Sequence, residues 1–150
     1  MKKTAIAAAL AVAATAFLAH AQQPKPEDHL KWRKSAYSLM GLHFGSLAAM
    51  AQDKKPYNKE EAIRDADFVA LVATEPRLHF GEGTEKLEGS KAKPEIWQKR
   101  ADFDQKMDKM VSEAAKLPQV ARNGDLAALK KAVADTGGAC KACHDDYRAK

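Results

Sequence analysis

Both cysteines of this chain fall in one pentapeptide, Cys140-Lys141-Ala142-Cys143-His144, and only Asp145 to Lys150 follow it. Cys-x-x-Cys-His is the attachment signature of c-type haem. Each thiol can add across one haem vinyl group, and the adjoining His144 is then held beneath the iron as an axial ligand. The motif therefore asks for a fold that encloses one covalently attached haem c per chain. Its position makes a second demand. Any group on the other face of the iron must come from upstream.

Two rival uses of a Cys-x-x-Cys pair are open to a chain of this kind. A redox disulfide of the thioredoxin type follows a strand in a βαβ setting, and no segment here shows sustained alternation of period two. A structural zinc needs two further ligands. His29, His43 and His79 are scattered, with no paired spacing.

The N-terminus reads as an export signal. Lys2 and Lys3 precede an apolar run from Ala5 to Leu18, and Ala19-His20-Ala21 is an A-x-A cleavage site. The run is too short to span a bilayer. The expectation is a signal peptide over 1–21, a mature single domain over 22–150, and a periplasmic location with no membrane attachment after cleavage. The formal charge of +5 falls by two when Lys2 and Lys3 leave. Acidic and basic residues are interleaved along the chain, a solvated mixed surface rather than a nucleic-acid footprint.

Four helical segments can be read from apolar spacing. The first opens at Pro26-Glu27-Asp28, with proline and acids suited to a first turn. Its seam is Leu30, Arg33, Tyr37, Met40, Phe44, Leu47 and Ala51. Asn58 and Glu61, a capping-box pair, start a second helix through Ile63, Ala66, Val69, Ala70 and Ala73, ended by Pro76. A loop from Arg77 to Lys93 follows. Pro94 opens a third helix with Ile96, Arg100, Phe103, Met107, Met110, Ala114 and Leu117 on its seam and Pro118 as its stop. The fourth carries Leu126, Leu129, Val133, Thr136, Cys140, Cys143 and Tyr147. This is the pattern of an all-α antiparallel four-helix bundle with haem c in its core. Gly137-Gly138 is costly in a helix interior and suits either a flat cofactor pressed against that turn or a local kink.

The chain resembles cytochrome c′ over essentially its whole mature length. The resemblance runs through Lys25-Pro26-Glu27-Asp28, Trp32-Arg33-Lys34-Ser35-Ala36, His43-Phe44-Gly45, Phe80-Gly81-Glu82-Gly83-Thr84-Glu85 and Lys93-Pro94-Glu95-Ile96-Trp97. It is strongest in Gly137-Gly138-Ala139-Cys140-Lys141-Ala142-Cys143-His144-Asp145-Asp146-Tyr147-Arg148. It implies thioether bonds at Cys140 and Cys143 and His144 as iron ligand. It places Arg33 and Lys34 on the propionate side, Arg148 on the proximal side, and Thr84 and Glu85 in a loop approaching the haem. Tyr37 stands where low-spin relatives carry a ligating methionine. The resemblance thus implies a five-coordinate, high-spin iron packed over by Tyr37. The alternative is a low-spin, six-coordinate electron carrier with Met40 as distal ligand.

The implied activity is electron transfer with an unidentified redox partner, together with binding of nitric oxide and carbon monoxide. The chain is expected to be a carrier, not an enzyme. A further flank on the first helix, Trp32, Ala36, Leu39, His43 and Met50 with Leu42 beyond it, fits a helix with two packing partners, and the resemblance implies a homodimer through the first two helices.

Overall fold

A computed structural model describes residues 24–150. The expected signal peptide, and the cleavage after Ala21, lie outside the described residues. Helix α1 spans Pro26–Ala51. Helix α2 spans Lys59–Val72 and leads into a 3-10 turn at Glu75–His79. A short α3, Glu95–Gln98, precedes α4, Arg100–Ala114. Helix α5 covers Leu117–Asn123, and α6 runs Leu126–Tyr147. Among the described residues there is no strand, only an isolated antiparallel bridge between Ala92 and Arg148.

The long helices α1, α2, α4 and α6 form an antiparallel four-helix bundle. Helix α1 packs on α2 and α6, α4 packs on α6, and α5 fills the space between α2 and α6. The core is the seam read from sequence. Leu47, Val69, Ile96, Phe103, Met107, Leu117 and Leu129 are almost wholly buried. Burial of such side chains contributes roughly 1.5–3 kcal/mol each, so the bundle is stabilised along its whole length.

Helix starts follow local chemistry. The Asn58 side chain accepts from the Glu61 N–H at 2.9 Å, and the Asp125 carboxylate accepts from the Ala128 N–H at 2.8 Å. Each satisfies one orphan donor of a first turn. Only half of the expected box forms at Asn58. The Glu61 carboxylate turns away to Lys55 and Ser46, where it accepts from both.

Several boundaries differ from the sequence reading. Pro76 lies inside the 3-10 turn instead of terminating α2, because a proline at an early helical position costs no hydrogen bond. The same physics overturns the stop at Pro118, which sits in the first turn of α5. The third helix is broken at Lys99, whose backbone leaves helical values at φ −119° and ψ 47°. Arg100 was expected on the inward seam. It points outward instead, pairing with Asp104 at 2.9 Å and donating to the Phe80 carbonyl at 2.8 Å. Ala36 and Met50 are buried within the chain, so they leave the outer flank of α1 to Trp32, Leu39 and Leu42. Gly137 and Gly138 sit inside an unbroken helix.

Candidate haem-binding site

Helices α1, α4 and α6, with the loop 81–93, enclose a cavity of about 810 Å³. That is within the usual range of cofactor sites, roughly 300–1,000 Å³. Its lining includes Tyr37, Met40 and Phe44 from α1, Phe103 and Met110 from α4, and Cys140, Cys143 and His144 from α6. The alternation of three and four residues along α6 brings both sulfurs to one wall. Both thiols are free and half-buried. Burial pushes the Cys143 thiol up to about 11 and raises Cys140 as well. Both therefore stand as neutral thiols at neutral pH. Burial, then the neighbouring Arg148 charge, lowers His144, which favours the neutral imidazole, the metal-binding form.

The wall is shaped for a flat guest at two points. Gly137 and Gly41 line it without side chains. A Cβ on Gly137 would stand 3.6 Å from the Phe44 ring, an ordinary contact distance. At Gly138 nothing lies within 4 Å of such an atom. Gly137 thus belongs to the cavity face, Gly138 does not line it, and neither marks a kink.

Arg33 is the one cation buried in this wall, 3% exposed. Its Nη1 donates to the His79 carbonyl at 3.0 Å and its Nη2 to Ser90 Oγ at 3.1 Å. The guanidinium lies 4.2 Å above the centre of the Phe80 ring. Its neighbour His79 is itself fixed. Its Nε2 stands 3.1 Å from a Glu75 carboxylate oxygen, and its Nδ1 3.1 Å from His29 Nδ1. Two neutral acceptors leave a buried guanidinium charge without an anion, since no carboxylate of the described residues pairs with it. A planar carboxylate on a guest would complete it.

Tyr37 is half-buried on the facing helix, and its hydroxyl approaches Met107 Sδ at 3.9 Å. Burial, and next the proximity of Cys143, hold its phenol well above the ordinary range. Met40 lies one turn further along the same wall, buried in the core cluster. Lys34 and Arg148 line the rim and are exposed. Trp97 lies behind the wall, packed on Phe80 and donating from Nε1 to the Gly81 carbonyl at 3.2 Å.

Thr84 and Glu85 are not brought to the cavity. The Thr84 hydroxyl is buried and donates to the Gly81 carbonyl at 2.7 Å, and Glu85 accepts from the Gly83 N–H at 3.2 Å. They build the turn that carries the loop. Its later part, Gly89 to Ala92, forms the wall. Ser90, His79 and Phe80 were not singled out as supports for Arg33, because their roles depend on contacts 46 to 57 residues apart in the chain.

A four-helix bundle with a haem-sized apolar cavity, a paired-thiol wall and one buried cation defines a class of bundle cytochrome with covalent haem. Comparison with known proteins carries this to a family. The cytochrome c′ family model matches residues 28–148, and the chain belongs to that family, whose members carry covalently bound haem c. It is 41% identical to cytochrome c′ of Rubrivivax gelatinosus over 129 residues, 86% of this chain and 100% of the relative. It is 38% identical to cytochrome c-554 of Cereibacter sphaeroides, over 83% of this chain and 82% of the relative. The crystal structure of the Rubrivivax gelatinosus protein matches with a TM-score of 0.81, covering 85% of this chain and 99% of the other. A nitric oxide complex of the L16A mutant of cytochrome c prime from Alcaligenes xylosoxidans matches at 39% identity with a TM-score of 0.78, covering 86% of this chain and 100% of that one.

Proposed function

We propose that this chain is an exported, periplasmic cytochrome c′ whose haem iron keeps one axial position free of protein ligands. The observation that carries the reading is Tyr37, a side chain with no strong iron donor at neutral pH, on the wall facing the Cys140–His144 segment. When bound, the haem supplies an iron that exchanges one electron and accepts a small gas such as nitric oxide or carbon monoxide.

The protein's part is attachment, enclosure and charge. Cys140 and Cys143 present thiols for the two thioether bonds. His144 offers a neutral imidazole as axial ligand. Arg33, and Lys34 at the rim, receive the propionates. Arg148, the extended residue that caps α6, lies on the proximal side, its N–H still bonded to the His144 carbonyl at 3.1 Å. Tyr37 fills the facing side by packing and restricts what can approach, since distal room and polarity govern ligand access. The reading is of a carrier, with the redox partner supplied from outside.

Met40 gives a second reading because it too lines the cavity. A thioether ligand would make the iron six-coordinate and low-spin. The ferric and ferrous absorption spectra and electron paramagnetic resonance decide between the two. High-spin iron in both oxidation states is expected. A methionine–sulfur charge-transfer band at the red edge of the ferric spectrum would sink the open-site reading. Tyr37→Ala should raise carbon monoxide affinity, and an unchanged affinity would count against Tyr37 as the shield.

A homodimer through α1 and α2 is supported by Leu39, Leu42 and Leu71, which stand 47%, 68% and 74% exposed. Sedimentation at micromolar concentration should give twice the chain mass, and Leu42→Glu should shift it to monomer.

A further inference from the structure

The chain's charges look evenly mixed in sequence, but the fold sorts them. Residues 24–150 hold three more lysines and arginines than acids. The exposed charges lining the cavity mouth are Lys34, Lys91, Lys141 and Arg148 against one carboxylate, Asp145. The mouth alone thus accounts for the net charge, and the remaining surface with Arg33 set aside is close to neutral. A ferric haem with two ionised propionates carries one negative charge, which Arg33 offsets, so filling the cavity leaves the rim's excess in place.

The pairing pattern sharpens this. Elsewhere ten of the eighteen other lysines and arginines among the described residues, Arg33 aside, meet carboxylates, among them Arg77 with Asp108, Arg100 with Asp104, Arg122 with Asp67, Lys130 with Asp53, and Lys109 and Lys116 with Glu113. At the mouth only Lys141 is paired, with Asp145 at 2.5 Å. Lys34, Lys91 and Arg148 form no ion pair among the described residues. The backbone moreover holds like charges together. Ala92 bridges Arg148, the Lys93 N–H donates to the Tyr147 carbonyl at 3.0 Å, and the Ala149 N–H donates to the Lys91 carbonyl at 2.8 Å. The acids of the same loop, Glu82, Glu85 and Glu88, do not line the mouth. Unpaired like charges fixed around an opening repel one another and are stabilised by an anionic visitor.

We infer that this mouth is the docking surface for an acidic electron-carrier protein, which reaches the haem edge there by charge complementarity. The inference rests on the cavity holding a redox haem and is indifferent to whether the iron is five- or six-coordinate.

Stopped-flow reduction of the haem-loaded protein tests it with three probes: ferrous EDTA, a dianion; hexaammineruthenium(II), a dication; and an acidic flavodoxin in its reduced form. Between about 10 and 200 mM ionic strength the ferrous EDTA and flavodoxin rates should fall on the order of 10-fold, while the ruthenium rate rises. Lys91→Glu with Lys141→Glu should flatten or reverse both falling slopes. Lys54→Glu with Lys59→Glu changes net charge equally, on the α1–α2 connection and the first residue of α2, beyond the end of α1 roughly 27 Å from Arg33, and should leave them as in the wild type. Equal effects of the two doubles would show steering by net charge and overturn the docking surface. So would slopes that neither double moves. A dianion that responds with a flavodoxin that does not overturns the protein partner. Failure of the haem reading is seen separately, as a protein that retains no covalent haem on a denaturing gel.

Discussion

Replacing Arg33 by methionine separates two accounts of why a cation sits in this wall. The swap keeps approximate volume and apolar stem but removes the charge. It strands the His79 carbonyl, whose donor was 3.0 Å away, and leaves Ser90 Oγ free to turn to water. It also ends the contact with the Phe80 ring at 4.2 Å. A stranded buried acceptor costs about 1–3 kcal/mol, and loss of the cation–π contact about 0.5–2 kcal/mol. Relief of the desolvated charge runs the other way, and trading a buried charge for an apolar side chain is often neutral or stabilising. Without an anion in the cavity these terms largely cancel. With a propionate against Arg33, the substitution leaves an uncompensated carboxylate and costs about 3–5 kcal/mol. For a chain of this length that is a fall of roughly 10–20 °C in Tm. Guanidinium denaturation of the haem-loaded protein at pH 7, followed by the Soret band and far-ultraviolet dichroism, measures it. A variant within about 1 kcal/mol of the wild type would refute a propionate at Arg33.

Three further outcomes follow from the geometry. Tyr37→Met should drive the ferric spectrum toward low spin if residue 37 stands over the iron, and should leave it unchanged if Met40 is already bound. Glu113 accepts from Lys109 at 2.7 Å and Lys116 at 2.8 Å, which lower its carboxyl to about 2. Its folded pKa is depressed, so its contribution is present above about 4.5 and lost as pH falls toward 2. Thermal melts of Glu113→Gln should therefore lie below wild type at pH 7 and converge with it on acidification. Asp125→Ala removes the α6 cap and should cost about 1 kcal/mol, read as a lower midpoint in urea with an unchanged slope.

The four long helices were legible because their seams repeat at three and four residues, and the buried Leu47, Val69, Phe103 and Leu129 are members of those seams. The thiols and His144 were legible from five adjacent residues. Prolines misled where their role depends on position in a turn. Pro76 and Pro118 each read as a stop, yet each sits where its missing N–H is free of cost. Arg33 was placed on the seam from spacing alone, but its supports could not be. His79, Phe80 and Ser90 carry no periodic signal and meet it only through the fold of a loop. Which part of that loop lines the cavity was likewise not legible, since a loop's path is set by its own turns, here the two bonds from Thr84 and Glu85 to residues 81 and 83.

Arg33 and Cys140 line one cavity although 107 positions separate them in the chain. Bringing such distant points together costs about 4 kcal/mol of loop-closure entropy. Contacts of that span are slow to form compared with the local hairpin of α1 and α2. Until the proximal helix docks, the apolar face of the distal wall stays uncovered. The order of assembly thus leaves an interval in which both thiols remain reachable before the bundle closes around them.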